Sequence, residues 1–327
     1  MNSETGSGRQ RAPEAALWRA VVARPYLSLL LLTLLLTLPG LTGVPPLDRD
    51  ESRIAEATAE MLERGDYIRI EYRGEPRHKK PVGIHWLQAV SVSLLSDVEA
   101  RAIWAYRMPS FLGAMLAVML TFWGGRRLFD DPTAFIGASL LAGSLLVAAE
   151  ATIAKTDAAL LAAVTASLMA AGRLYMDFAE GAGASAFRPP GALALLVWVA
   201  LGVGILIKGP VAPVVFALTV FTVTAADGRW AWLRRLSALP GFVILIALVL
   251  PWSVAVWKAT DGAFFRDALS IDMAPKLAGG QESHGAPPGV YTLLSPLLLW
   301  PASLLLFPAV VTSWRERARA PVRICLA

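Results

Sequence analysis

The chain contains 327 residues, of which 56% are hydrophobic and only 17% are charged. Soluble domains are about half apolar and a quarter charged, so this composition excludes an ordinary soluble domain and indicates a protein of the bilayer. The net charge of +5 is interpreted as the lysine and arginine excess that orients membrane helices against anionic lipid, with no nucleic-acid partner.

Apolar segments long enough to cross a membrane recur from residue 25 onward, after a predicted cytoplasmic tail at 1–24. A spanning helix needs about 20 mostly apolar residues. The predicted spans are 25–44, 106–125, 133–150, 157–176, 191–207, 210–226, 238–257 and 290–313. The segment 82–96 is shorter and carries His85 and Gln88, so a helix lying in the interface is predicted there. The chain is thus predicted to be all-α, a polytopic bundle of about eight spanning helices over 25–327.

Arginines predict which side of the membrane each loop occupies. With the N-terminus inside, the short inside loops carry Arg126 and Arg127, Arg229, and Arg234 with Arg235, whereas the short outside turns hold one lysine each. This distribution satisfies the positive-inside rule. The loops 45–105 and 258–289 are then predicted to face outward.

The first outer loop opens on the charged stretch "PPLDRDESRIAEATAEMLERGDY", Pro45 to Tyr67. Its apolar residues recur near helical spacing, which predicts an amphipathic helix with Gly65 as the residue that ends it. Asp50 is a suitable N-cap for this helix. Capping does not account for Arg53, and a helix N-terminus also attracts anions, so a cap and an anion site both remain open readings.

Further ionisable residues are predicted to share the outer face. "GEPRHKKPVGIHWLQ" carries a cationic run from Arg77 to Lys80, which either touches lipid headgroups or binds phosphate. Lys208 lies in a turn too short to be a solvated loop, and Asp157 opens an apolar helix. A common polar cavity at the outer surface explains these positions together.

Six segments appear in the order found in one family of enzymes. They are "RDESRIAEATAEMLERGDYI", "KKPVGIHWLQAVS", "ARAIWAYRMPSFLGAMLA", "IAKTDAALL", "ILIKGPVAP" and "LPWSVAVW". From about Leu47 to the C-terminus the chain resembles the GT-C membrane glycosyltransferases related to the aminoarabinose transferase of lipid A and to the protein mannosyltransferases. The resemblance implies transfer of a sugar from a polyprenyl-phosphate donor to a lipid A, glycan or protein acceptor. It also implies a multi-pass protein of the bacterial inner membrane whose active site faces the periplasm.

The resemblance also implies roles for individual residues. Asp50 and Glu51 match the acidic pair that follows the first membrane helix and are the expected catalytic residues. The residues expected to bind the donor phosphate or the substrate are Arg53, Lys80, Asp157, Lys208 and His284.

The sequence departs from the family pattern at several points. Ile54 stands where a tyrosine is common, and Lys79 replaces an acidic residue before the Lys-Pro motif. Where that acid and the loop histidine hold a divalent metal, this site lacks one ligand, so no metal ligand is assigned and a bound zinc is not expected. A divalent metal is the one cofactor that stays open. Family members are also longer, so we expect the chain to be incomplete at its C-terminus.

Two other classes of function remain open from the residues alone. A transporter or lipid flippase would place ionisable residues near the bilayer midplane and would favour broken helices in both halves. The acids and bases here lie at helix ends, with no clear inverted repeat. The other alternative is a structural protein whose outer loop only binds headgroups.

Overall fold

The computed structural model describes residues 21–46, 49–181, 191–273 and 289–327. Within these ranges the chain is helical almost throughout. Its strands there are β1 (Glu71–Tyr72) and β2 (Glu75–Pro76), which pair in an antiparallel hairpin. The predicted all-α class, a polytopic helical bundle, is confirmed.

The described helices follow one another along the chain. In chain order they are α1 (Pro25–Gly43), α2 (Arg49–Arg64), α3 (Gly83–Leu95), α4 (Ile103–Leu128), α5 (Asp131–Ala142), α6 (Leu145–Ala151), α7 (Asp157–Ala179), α8 (Ala192–Lys208), α9 (Val211–Asp227), α10 (Ala238–Ala259), α11 (Ala263–Asp267), α12 (Val290–Leu298), α13 (Leu306–Arg315) and α14 (Ala320–Leu326). Short 3-10 segments cover Trp230–Leu236 and Ala302–Leu305.

Four helices are long and apolar enough to cross a membrane, namely α1, α4, α7 and α10. Two bent pairs raise this number to six if each pair forms one span. α8 and α9 have 17 residues each, which is at the lower limit of about 17 for a span. The prediction of about eight spans therefore stays a prediction.

Two of the predicted spans are not continuous helices. The segment predicted at 133–150 is α5 and α6, bent by 60°, and the segment predicted at 290–313 bends by 115° between Leu298 and Ala302. At the breaks the amide of Leu145 donates to the carbonyl of Trp300 at 3.1 Å, and the Ser144 hydroxyl donates to the carbonyl of Leu298 at 3.1 Å. Irregular backbone inside a bilayer needs such partners, and here each break supplies them to the other.

Small residues hold the centre of the bundle together. Gly113 of α4 lies against the backbone of α7, where an added Cβ atom would approach the carbonyl oxygen of Ala158 to 2.7 Å. The buried face of α7 is mostly alanine, and α8 packs along it. Lipid is as apolar as leucine, so close backbone packing of this kind stabilises helix pairs in a membrane.

The bundle has two ends that the same helices connect. Arg107 lies near the start of α4 and Arg127 near its end, about 30 Å apart at 1.5 Å per residue. Asp157 and Asp177 mark the corresponding ends of α7. The two ends are called the Asp50 end, with Asp50, Arg107 and Asp157, and the Arg127 end, with Arg127 and Asp177.

The segment between α1 and α4 covers the Asp50 end with short elements. α2 ends at Arg64, and Gly65 adopts a φ of +66°, as predicted for the residue that ends this helix. Asp50 is not the N-cap that the sequence suggested, because α2 already begins at Arg49. The helix predicted at 82–96 is present as α3, and its 13 residues are too few to span a bilayer.

Candidate active site

A sealed ion pair lies at the centre of the Asp50 end. The guanidinium of Arg107 donates from Nε to Glu51 Oε1 at 2.7 Å and from Nη2 to Glu51 Oε2 at 3.1 Å. Glu51 is 1% exposed and Arg107 is fully buried. The amide of Ala154 also donates to Glu51 Oε1 at 2.9 Å. A buried pair of this kind is retained only when further hydrogen bonds satisfy it, and this one has them.

The same arginine also binds the end of the first helix. Its Nη1 donates to the carbonyls of Leu41 at 3.0 Å and Val44 at 2.7 Å. These carbonyls lie where an α-helix runs out of its own donors. The pair of Glu51 and Arg107 thus links α1, α2 and α4 to the turn that precedes α7.

The expected catalytic role of Glu51 stays a prediction. Both of its carboxylate oxygens already accept hydrogen bonds, and its side chain is almost completely buried. Glu51 lies in the first turn of α2, which also carries Asp50.

Beside this pair lies an open cluster of charged side chains. Lys208 at the end of α8 donates to Asp157 at the start of α7. Lys80 is mostly buried, and burial is the main cause that holds its pKa below the ordinary lysine value, with the charge of Lys208 next. The carboxylates of Asp157 and Asp50 act in the opposite direction. Three charged neighbours, Asp50, Asp157 and Lys208, are therefore close enough to influence the charge of Lys80.

Local sequence features bring these side chains together. Gly83 lets the start of α3 meet the end of α8, where an added Cβ atom would approach the Leu206 carbonyl to 2.6 Å. This contact places the preceding Lys80 near Lys208. Gly209 then ends α8 with a φ of +62°. Asp157 in a first turn and Lys208 in a last turn also suit the helix dipoles, which accounts for part of their placement.

The remaining predicted site residues are placed less closely. Arg53 is partly buried on α2, three residues after Asp50 and so on a neighbouring part of the helix surface. His284 lies outside the described residues. Among the residues that the structure does describe, no group of three or more His, Cys, Asp or Glu side chains is arranged to hold a metal ion.

Two residues of this end were not assigned roles from the sequence. Arg77 acts electrostatically on Lys80 and so belongs to the cluster, although the sequence marked it only as part of a cationic run. The sequence analysis assigned no role to Arg107, which lies inside an apolar segment. Its position could have indicated a role, because an ionisable residue within a membrane helix is rare and usually has a specific partner.

An apolar groove of about 520 Å³ lies between α3, α4, α7 and α8. Its walls include Leu87, Met108, Ala159 and Ile207. Ile207 immediately precedes Lys208, and Ala159 follows Asp157 by two positions. The groove wall therefore includes residues within two positions of Lys208 and Asp157 along the chain.

Residues 79–257 match the family described as dolichyl-phosphate-mannose-protein mannosyltransferase, which is more than half of the chain. The chain belongs to this family. The matched residues include Lys80, Asp157 and Lys208 of the cluster. The resemblance to GT-C glycosyltransferases is thereby confirmed.

Curated relatives carry the name undecaprenyl phosphate-alpha-4-amino-4-deoxy-L-arabinose arabinosyl transferase. The protein from Pseudomonas aeruginosa (strain UCBPP-PA14) is 30% identical over 302 residues, covering 89% of this chain and 52% of that protein. The protein from Pectobacterium carotovorum subsp. carotovorum (strain PC1) is 28% identical over 299 residues, covering 91% of this chain and 51% of that protein. The chain thus spans about half the length of these relatives.

Solved structures of ArnT from Cupriavidus metallidurans share the fold of this mannosyltransferase-family chain. The apo structure has a TM-score of 0.73 at 21% identity and covers 95% of this chain and 53% of that chain. The structure bound to undecaprenyl phosphate has a TM-score of 0.69 at 19% identity, with the same coverage. Together with its spanning helices, these matches identify the chain as a multi-pass bacterial membrane protein.

Proposed function

We propose that the protein is a glycosyltransferase that moves a sugar from a polyprenyl-phosphate donor to a lipid A, glycan or protein acceptor. The observation that carries this proposal is a cluster with more cations than acids near an apolar groove. Among the described residues the cluster has three cations, Arg77, Lys80 and Lys208, beside Asp50 and Asp157, and Arg53 lies on α2 three residues after Asp50. A phosphate head on a long apolar chain fits this combination.

The cations supply the electrostatic part of the reaction. The donor phosphate leaves with negative charge, so Lys80, Lys208 and Arg53 stabilise the leaving group. Asp157 holds the ammonium of Lys208 in place through their contact. His284 of the later outer loop joins the substrate site in this proposal.

Asp50 has the role closest to the reacting carbon. With a hydroxyl acceptor, its carboxylate takes the proton of the attacking oxygen as a general base. With a phosphate acceptor no base is needed, and Asp50 orients the acceptor or pairs with an amino group on the sugar. Glu51 and Arg107 act as positioning residues, because their ion pair fixes the turn that carries Asp50.

The distribution of charge supports a proposal for the membrane sidedness. Arginines collect at the Arg127 end, which the positive-inside rule assigns to the cytoplasm. We infer that the Asp50 end faces the periplasm and that the protein lies in the inner membrane, surrounded by membrane lipids. The names of the relatives favour an undecaprenyl-phosphate-linked aminosugar as donor.

The two broken helices are the one observation that favours a transporter, since transporters build their sites from such breaks. The breaks here contain Gly143, Ser144 and the segment Leu299 to Pro301, and none of these residues is ionisable. Their polar backbone groups bind each other, as described above. The glycosyltransferase reading therefore accounts for the charged cluster, which the transporter reading does not.

The test is release and transfer of sugar by the full protein in proteoliposomes supplied with undecaprenyl-phosphate-linked aminoarabinose and lipid A. Asp50→Asn should abolish transfer, while Glu56→Gln, on the same helix, should leave it unchanged. Turnover that survives Asp50→Asn would remove Asp50 from the mechanism. Absence of sugar release by the wild type, with or without an acceptor, would count against the enzyme itself.

A further inference from the structure

A chain of buried polar contacts runs beneath the cluster through α2, α3 and α4. Nδ1 of His85 lies 2.7 Å from the Thr58 hydroxyl oxygen, which lies 2.7 Å from Gln88 Oε1. Gln88 Nε2 donates to the carbonyl of Tyr106 at 3.1 Å. His85 is 3% exposed, and Thr58 and Gln88 are fully buried. The contacts must therefore satisfy one another without bulk water.

The chain of contacts determines which nitrogen of His85 carries the proton. The Tyr106 carbonyl only accepts, so the amide of Gln88 is oriented with its oxygen toward Thr58. Thr58 has one hydroxyl hydrogen. Its hydroxyl oxygen lies 2.7 Å from Gln88 Oε1 and 3.0 Å from the carbonyl oxygen of Ile54, and because both of these oxygens only accept, no hydrogen is left for His85. Nδ1 of His85 must then be the donor to Thr58, and Nε2 carries a lone pair.

Nε2 is left as an acceptor, and His85 lies in the first turn of α3, five residues after Lys80 of the charged cluster. The described residues form no hydrogen bond with Nε2. Burial, followed by the charges of Arg77 and Lys80, lowers the pKa of His85 to about 3. The ring is therefore neutral at physiological pH, and two cations of the cluster lie close enough to act on it.

A neutral acceptor is chemically distinct from everything else in the cluster. Lysine and arginine side chains only donate, and a carboxylate accepts but repels a phosphate. Hydroxyl and amino groups of a sugar need acceptors that tolerate the neighbouring phosphate. An uncharged imidazole nitrogen meets both requirements.

We propose that Nε2 of His85 accepts a hydrogen bond from a hydroxyl or amino group of the sugar on the donor, and so selects the sugar-bearing donor over the bare lipid phosphate. This inference rests on the proposed function. It assigns His85 a place in substrate selection, with Thr58 and Gln88 as the residues that hold its tautomer.

Two substitutions separate this role from a purely structural one. In His85→Asn the side-chain amide lies near the former position of Nδ1, so it keeps a donor for Thr58 but supplies no acceptor at the position of Nε2. In His85→Gln the side-chain amide lies near the former position of Nε2, so it keeps that acceptor but supplies no donor to Thr58. Binding of undecaprenyl phosphate and of undecaprenyl-phosphate-linked aminoarabinose is measured for the full protein in nanodiscs, with thermal unfolding as the folding control.

The expected result is selective. His85→Asn should weaken binding of the sugar-linked donor about tenfold, as for the loss of one hydrogen bond to the substrate. Binding of undecaprenyl phosphate by this variant should stay within about twofold of the wild type. His85→Gln should retain most of the preference for the sugar-linked donor. The inference is overturned if His85→Asn discriminates like the wild type, or if both ligands weaken equally in both variants. A wild type that binds undecaprenyl phosphate but neither prefers nor cleaves the sugar-linked donor would overturn the proposed function as well.

Discussion

The two ends of the bundle use the same helices but hold most of their charges differently. At the Arg127 end, Arg127 binds Asp177 at 2.8 Å and Glu180 at 2.6 Å, and Arg126 binds Asp131 at 2.8 Å, all with partly or largely exposed side chains. One further pair near this end, Arg323 with Asp227, is mostly buried. At the Asp50 end, one ion pair is sealed completely, and the neighbouring cluster holds more cations than acids.

The difference indicates what each end is built to do. Exposed pairs at the Arg127 end contribute little energy each. Crowding cations at the Asp50 end costs energy, since Lys208 and Arg77 both disfavour the charged form of Lys80. A fold retains such crowding where a ligand with negative charge relieves it. Substitutions that remove charged side chains at each end test whether the two ends differ in this way.

The largest expected effect is on stability at the sealed pair. Arg107→Met leaves the Glu51 carboxylate buried without its partner, which should lower the free energy of unfolding by about 3–5 kcal/mol. Denaturation in detergent measures this loss. The double variant Glu51→Leu with Arg107→Met should recover most of it, because no charge is then buried. If the double variant is as unstable as the single one, the carboxylate is not the cause.

The next effect concerns donor binding at the cluster. Lys80→Met should lower sugar transfer about 100-fold by removing one cation that stabilises the leaving phosphate. Lys258→Met, an exposed lysine at the end of α10, is the matched control and should have no effect. Because the pKa of Lys80 is lowered, wild-type binding should also weaken on alkalinisation at a lower pH than an ordinary lysine would give. Equal activity of the two variants would remove Lys80 from the proposed donor site.

A smaller effect appears when the pH is lowered. The folded protein keeps His85 neutral down to about pH 3, whereas the unfolded chain protonates it below its ordinary pKa of 6.5. The stabilisation is complete above that value and is lost as the pH falls toward 3. Between pH 7.5 and pH 5.0, the free energy of unfolding of the wild type should fall by about 2 kcal/mol more than that of His85→Gln, because the amide of the variant does not titrate. Parallel losses in the two proteins would contradict a neutral buried histidine.

The smallest effect is expected at the opposite end. Arg127→Met removes pairs that are partly exposed and should change the free energy of unfolding by about 1 kcal/mol or less. Binding of undecaprenyl phosphate, measured with the same nanodiscs, should stay unchanged. A loss comparable to that of Arg107→Met would show that the two ends are not different in kind.

Much of the fold was predictable because it depends on local pattern. Apolar length marked the long helices α1, α4, α7 and α10, and Gly65 marked the end of α2. The positions of Asp157 at a helix start and Lys208 at a helix end were also visible in the sequence. The breaks near Gly143 and Pro301 were not predicted, although a Gly-Ser pair and a proline are local signals for a kink. The hydrogen bonds that join the two breaks could not be predicted, because they connect segments that are distant in sequence.

The sequence by itself determined the helical class, the family and the residue types available at the Asp50 end, since apolar runs and ordered motifs are local properties. Only the tertiary structure decided how those residues are used. Asp50 and Glu51 are adjacent and chemically alike, yet the packing of Arg107 from α4 seals Glu51 and leaves Asp50 beside Lys80. The proton on His85 is decided in the same way, by the hydrogen-bond chain that runs through Thr58 of α2 and the Tyr106 carbonyl of α4.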